Sequence, residues 1–265
     1  MAGNLKIYWR VFGQLLRLHV NEFSTFRFDT FTKLVGYPLQ LGMMVALWAL
    51  LKQQGAAIDE HYLYAYYALI YILANQYPFM RLAIHLQQVI TNGNHLKYIL
   101  SGVGMIEDHL AEFLVKVCWY NLLSIPIALV FVHAFTGTPF EASKIAGFYL
   151  TALIGGVVVF LIWLLVAIAT FWLVINRGLV SLVFALQALF TGTLVPLSML
   201  PEGLAMVSRY TPFFYALYAP VDYYLNPASH LLDVLVPQVA WVLALFVLCR
   251  ALYNKGIHET HAAMV

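Results

Sequence analysis

IAGFYLTALIGGVVVFLIWLLVAIATFWLVI, from Ile145 to Ile175, contains no charged side chain. A helix needs about 20 mostly apolar residues to cross the hydrocarbon of a bilayer, and this run exceeds that. It does not alternate apolar with polar residues, as a membrane strand would. It reads as a spanning helix, and the composition extends that reading to the rest of the chain. Of the 265 residues, 63% are hydrophobic and 10% are charged, whereas soluble domains carry about 25% charged residues.

Five further runs qualify as spans: Leu34 to Leu51, Tyr62 to Ile84, Phe113 to Phe135, Leu179 to Leu197 and Leu231 to Tyr253. The expected fold is an all-α integral membrane protein with six transmembrane helices, forming a single domain over 1–265. Six crossings put both termini on one side. Of the 14 Lys and Arg, only Lys52, Lys144 and Arg209 fall on the other side. Basic residues concentrate in cytoplasmic segments, so both termini are expected in the cytoplasm, with the chain multi-pass in the inner (plasma) membrane. The net charge of +2 and the lack of any Lys/Arg block argue against nucleic acid as a partner. Cys118 and Cys249 stand far apart inside apolar runs, as buried thiols do. Lys6, Arg10 and Arg17 interrupt the first residues in a way that a secretory signal does not allow.

Residues 1–33 are not a span. Leu5, Tyr8, Trp9, Phe12, Leu15, Leu16, Val20 and Phe23 recur at helical spacing, with Lys6, Arg10 and Arg17 on the opposite face. A basic amphipathic helix of this kind lies in the membrane interface. A soluble partner is the alternative surface for its apolar face.

The longest inside loop, 85–109, holds two turn signals, Asn92-Gly93 and Gly102-Val103-Gly104, around a short helical stretch from His95 to Leu100. It is either a plain connector or a knob offered to a soluble partner.

Catalytic constellations do not emerge. There is no phosphate-cradling Gly-rich loop and no nucleophile elbow or zinc-protease motif. His258 and His261 read as a solvated tail, and Glu107, Asp108 and Glu112 as the acidic start of a helix. No catalytic or metal-binding residue is expected. Uncharged polar groups do lie within the spans: Asn75, Gln76, Asn121, Ser124 and Gln187. They either join helices by hydrogen bonds or line a path for a substrate. Tyr67 and Tyr71, one turn apart, share that second reading.

Between the last two spans the chain reads TGTLVPLSMLPEGLAMVSRYTPFFYALYAP, Thr191 to Pro220. Pro196 marks the expected end of the fifth span, and Pro201 suits the start of a short helix. Pro212 and Pro220 are expected to break and restart the chain. The apolar residues between them suit a re-entrant external helical hairpin over 198–230, or a plain interfacial loop.

These features together resemble an ABC-2 type permease, the transmembrane subunit of ATP-binding-cassette exporters, over nearly the whole chain. The most specific likeness is in Gly192, Pro196, Leu197, Leu200, Pro201, Pro212, Phe213 and Pro220, which fill the family's pattern of Gly, Pro-Leu, Leu-Pro, Pro-Phe and a final Pro. Gly93, Leu96 and Leu100 match the loop pattern of one branch, and TFRFDTF (Thr25 to Phe31) is similar to the aromatic-Arg motif before its first span. Ser101-Gly102 and Leu225-Asn226 depart from the pattern.

The resemblance implies a second permease subunit, in a homodimer or heterodimer. It implies an ATP-binding-cassette ATPase that carries the ATP and Mg, and no cofactor in this chain. It implies that Asn92, Gly93, Asn94, His95, Leu96, Lys97, Tyr98 and Leu100 couple to that ATPase, and that the proline-rich hairpin gates an exit. Implied substrates are lipids, lipid-linked glycans, antibiotics or peptides. The competing expectation is a channel or scaffold without ATP coupling.

Overall fold

The computed structural model describes residues 2–25, 27–54, 59–101, 103–137, 139–173 and 176–262, which are helical throughout apart from turns. The elements are α1 (Ala2–Thr25), α2 (Arg27–Gln53), α3 (Glu60–Asn75), α4 (Phe79–Thr91), α5 (Leu96–Ser101), α6 (Met105–Thr136), α7 (Ala142–Ile168), α8 (Arg177–Phe190), α9 (Glu202–Arg209), α10 (Ala219–Leu225) and α11 (Leu231–Ala262). Short 3₁₀ turns follow α7 and precede α9, and a π-helical stretch, Phe214–Tyr218, leads into α10. Among the described residues, four stretches are long and apolar enough to cross a membrane: Val35–Gln53, Met105–Thr136, Ala142–Phe171 and Leu231–Glu259. Of their most apolar windows, 72% of residues are buried in the stretch built on α7, but only 17% in those of α2 and α11. α7, charge-free from Ile145 onward, is therefore the axis of the bundle. α2 and α11 turn most of their surface outward, exposing Leu39, Met43, Val236 and Leu243.

Glycines let neighbours close in on α7. A Cβ on Gly155 would come within 2.1 Å of the Ala216 carbonyl oxygen, and one on Gly156 within 2.7 Å of Gln76 Nε2. Small residues at such crossings permit the backbone approach on which membrane packing depends.

The structure departs from the expected elements at four places. The run 62–84 is two helices, not one. α3 ends at Asn75 and α4 starts after Pro78. Proline lacks the donor a continuing helix needs, and it pushes Tyr77 before it out of helical conformation. The break is covered, since Gln76 and Tyr77 are buried against the bundle. The run 179–197 is helical only over the 14 residues of α8. Gly192, at φ 77°, ends it well before Pro196, as a left-handed glycine does just past a helix. The Thr191 hydroxyl joins its own N–H in donating to the Gln187 carbonyl (2.6 Å), and the Thr193 hydroxyl donates to that of Ala188 (3.2 Å). Pro220 does not break the chain either. Helical backbone runs from Pro212 to Leu225, and the π-stretch ahead of Pro220 gives its ring room that a regular turn denies. Finally, residues 27–33 of the expected interfacial segment already belong to α2, because α1 stops at Thr25. Phe26, Gly102 and Ile175, on which parts of the sequence expectations fall, lie outside the described residues.

Gly155→Ala is expected to lower the thermal unfolding midpoint of the detergent-solubilised protein, since overpacking a tight contact costs about 1–3 kcal/mol. Gly203→Ala, where an added Cβ meets nothing within 4 Å, serves as the control. Equal midpoints would refute the tight crossing.

Candidate functional site

The bundle has two differently built ends. At one end lie α1, α5, the start of α6 and the last turns of α11. The imidazole of His19 sits 3.0 Å from both Glu22 and Asp108, fastening α1 to α6. Glu107 Oε1 pairs with Arg250 at 2.8 Å, fastening α11 to the same turn of α6. His109 contacts Glu112 at 3.3 Å, and Lys116 reaches back to Glu112. The acidic helix start at Glu107, Asp108 and Glu112 is therefore a clamp on neighbouring elements and not merely a solvated face.

The loop candidates gather at this end. Asn92 caps α4, and Gly93 takes φ 72°, so Asn92-Gly93 is the turn the sequence indicates. α5 follows as a helix of 6 residues, one position later than its expected limits. His95 is buried against Phe171, with rings 5.5 Å apart. Tyr98 packs its ring 6.1 Å from that of His109, and burial, reinforced by Asp108, pushes its hydroxyl up to about 12. Burial, with His109 second, holds the His85 imidazole below its ordinary range. Leu96 is half-buried, while Asn94 and Lys97 face outward. Leu100 is 87% exposed. Asn92 also borders a cleft of about 530 Å³ with Gln88, Asn176 and Arg177, so the loop faces the start of α8.

At the opposite end lies the proline-rich segment. Pro196, Leu197 and Leu200 lead into the turn before α9, with Leu197 buried. Pro201 sits at the N-cap of α9, one residue before the helix proper. Pro212 and Phe213 open the helical run that contains Pro220. Three ties fix this segment. Tyr66 and Tyr67 of α3 donate to the carbonyls of Gly192 (2.8 Å) and Leu194 (2.9 Å). Lys144 Nζ donates to the carbonyls of Tyr223, Asn226 and Ser229 at 3.0–3.3 Å, placing a cation on the carbonyl end of α10. Gln238 Nε2 donates to Thr151 O at 2.9 Å and to Tyr215 O at 2.8 Å, one of the carbonyls in the π-stretch.

The mid-span polar candidates do not form one lining. Asn121 donates to Gln76 at 3.1 Å, joining α6 to the break between α3 and α4. Gln187 accepts from Trp163 Nε1 at 2.7 Å, joining α8 to α7. Tyr67 is buried in the core, 5.4 Å ring to ring from Tyr71. Asn75 opens onto a small cavity beside Gln40. Ser124 turns its hydroxyl back to the Tyr120 carbonyl. Sequence reasoning missed Lys144, Gln238, His19 and Arg250. Lys144 carried a signal as one of the few cations off the terminal side, and Gln238 as an amide within an apolar run.

An all-helical membrane protein whose apolar helices surround a charge-free axis is the class this architecture defines. The family described as "ABC-2 family transporter protein" matches residues 41–263. The chain belongs to that family, as a transmembrane permease of the ABC transporter type, a subunit with no catalytic site of its own. No individual curated protein matches alongside it.

Gln238→Leu leaves the Tyr215 carbonyl without its donor. An unmatched buried polar group costs about 1–3 kcal/mol. The expected result is a lowered unfolding midpoint and faster proteolysis at 198–230, read by limited digestion. An unchanged digestion pattern would show that Gln238 does not hold the segment.

Proposed function

We propose that this chain is the permease subunit of an ABC exporter for an amphipathic substrate, driven by ATP hydrolysed on a separate nucleotide-binding subunit that docks on α5. The observation that carries this reading is Leu100. A large apolar side chain, 87% exposed, stands on a short helix at the end of the bundle where α1 and the last turns of α11 meet α6. Water disfavours that arrangement, and a groove on a soluble partner relieves it. α5 leaves α4 through the Gly93 turn and touches α6 through Tyr98 and His109. A push on α5 therefore reaches two helices. Rocking of helical bodies at an interface with a second permease subunit, homodimeric or heterodimeric, converts that push into alternating access.

In this reading the chain crosses the inner membrane six times. α3 with α4, and α8 with the turn after it, supply the two interrupted crossings, and both termini are cytoplasmic. The segment 198–230 is then an external re-entrant hairpin. Broken backbone at membrane depth survives only where protein or a water-filled cavity covers it, and the donors from Gln238 and Lys144 to this backbone supply such cover.

In the complex with the ATPase, Leu100→Asp is expected to abolish transport while ATP hydrolysis and the unfolding midpoint persist. Gly93→Pro should act alike, since proline cannot adopt the left-handed backbone at that turn. Normal transport in both variants would exclude α5 as the coupling element. For topology, Glu202→Cys in a background lacking Cys118 is expected to react with a membrane-impermeant thiol reagent added outside intact cells. Glu202 is exposed, unlike nearby Ser208. Labelling solely from the cytoplasmic face would overturn the orientation.

A further inference from the structure

Two cavities of opposite polarity meet at Tyr37. The first, about 380 Å³, lies between α2, α3 and α6 and is walled by side chains such as Leu41, Val45, Ile72, Ile127 and Phe131. Among the described residues, its one polar wall group besides Tyr37 is Ser124, whose hydroxyl is engaged with the Tyr120 carbonyl at 2.7 Å. The second, about 230 Å³, lies on the side of Tyr37 nearer the start of α2 and is bordered by Thr32, Gly36, Gln40 and Asn75. The Tyr37 hydroxyl donates to the Ala68 carbonyl at 2.8 Å, so the dividing ring is fixed. Asn75 Nδ2 donates to Tyr71 O and to Gln40 Oε1, both at 2.9 Å. Those bonds orient both amides and leave Gln40 Nε2 as a donor and Asn75 Oδ1 as an acceptor for a ligand. Among the described residues, no charged side chain borders either cavity.

Glycine supplies a second observation. Gly36 borders the polar cavity and Gly42 the apolar one, both within α2. A glycine inside a helix is less favourable than alanine by about 1 kcal/mol. At Gly155 close packing compensates, but a Cβ on Gly36 or Gly42 would meet nothing within 4 Å. What these two glycines provide is open space in the cavities. Lipid-facing Leu39, Met43 and Val130 stand exposed on the same two helices, so the apolar groove lies open to the hydrocarbon.

We propose that the two cavities form one binding site for a single uncharged amphiphile taken from the bilayer. Its hydrocarbon chain lies in the groove between α2 and α6, and its hydrogen-bonding head lies between Gln40 and Asn75. An apolar compartment that meets an amide-bearing one at Tyr37 matches such a molecule. The ridge of a second copy's helix would fill the first compartment and leave the amides unmatched. The proposal rests on the membrane placement of α2 and α6 and not on coupling to ATP.

The test uses the full chain in phosphatidylcholine vesicles containing either a diazirine-bearing diacylglycerol, whose head is a neutral hydroxyl, or a phosphatidic acid with the same chains. Photolabelled peptides are mapped by mass spectrometry. Diacylglycerol is expected to label α2 and α6 in preference to the outward face of α11. Gly42→Leu should cut that labelling about tenfold without lowering the unfolding midpoint. Gln40→Leu and Asn75→Leu should bring diacylglycerol labelling down to the level of phosphatidic acid. Labelling unchanged by Gly42→Leu would mean annular lipid only, and equal labelling by the two probes would remove the head site. Disulfide-linked dimers of Gly42→Cys would hand the groove to a second copy. Each of these overturns the proposal. No nucleotide or ATPase is present, so these outcomes are independent of whether Leu100→Asp uncouples transport.

Discussion

Backbone polar groups in hydrocarbon must find partners within the protein. At the contact between α7 and the π-stretch before α10, that constraint and the demand for close packing meet. Gly155 admits the Ala216 carbonyl to the surface of the axial helix, and Gln238 satisfies the neighbouring carbonyl of Tyr215 while bonding Thr151 on α7. Three elements distant in sequence, α7, the proline-rich segment and α11, become one body through these contacts. With Gln238 missing, the Tyr215 carbonyl loses its side-chain donor, and with a Cβ at Gly155 the Ala216 carbonyl loses its seat on α7. The position of Pro220 depends on this arrangement, because its ring needs the widened turn.

The two ends of the bundle rest on different chemistry. At the end holding α1 and α5, charged side chains clamp helices through pairs that are partly buried: Glu107 is buried under Arg250, and His19 and Asp108 are largely covered. At the other end, phenolic hydroxyls, an amide and one lysine donate to main-chain carbonyls. Removing one partner of a buried charge pair is strongly destabilising, and so is removing the donor from a buried backbone carbonyl. Both ends are therefore held by polar contacts that are costly to break, and they differ in the acceptor, carboxylate at one end and main-chain carbonyl at the other.

Much of this was legible in the sequence. The apolar runs name the helices of the membrane, and Asn92-Gly93 names a turn because only certain residues favour its backbone. The early stop of α8 was less visible. Gly192 was read as part of a family pattern and not as a left-handed cap, so Pro196 took the role that the glycine holds. The pairing of polar groups was not legible. Gln76 meets Asn121 and Gln187 meets Trp163 across helices, and sequence spacing carries no information about which faces of separate helices come together. Lys144 illustrates the same limit: its charge counted toward orientation, while its bonds to three carbonyls of a distant helix end depend on tertiary packing.

The charge-free interior has an electrical consequence. A membrane potential does about 2.3 kcal/mol of work per elementary charge per 100 mV, and only on charge that moves through the field. α7 carries no ionisable acid or base along its length beyond Lys144 at its edge, and the buried amides at Gln76, Asn121 and Gln238 are neutral. A rearrangement confined to α7 and these amides moves no formal charge but that of Lys144, so a membrane potential would do little work on it, and any voltage dependence of the bundle would have to come from the charged turns of α6 and α11.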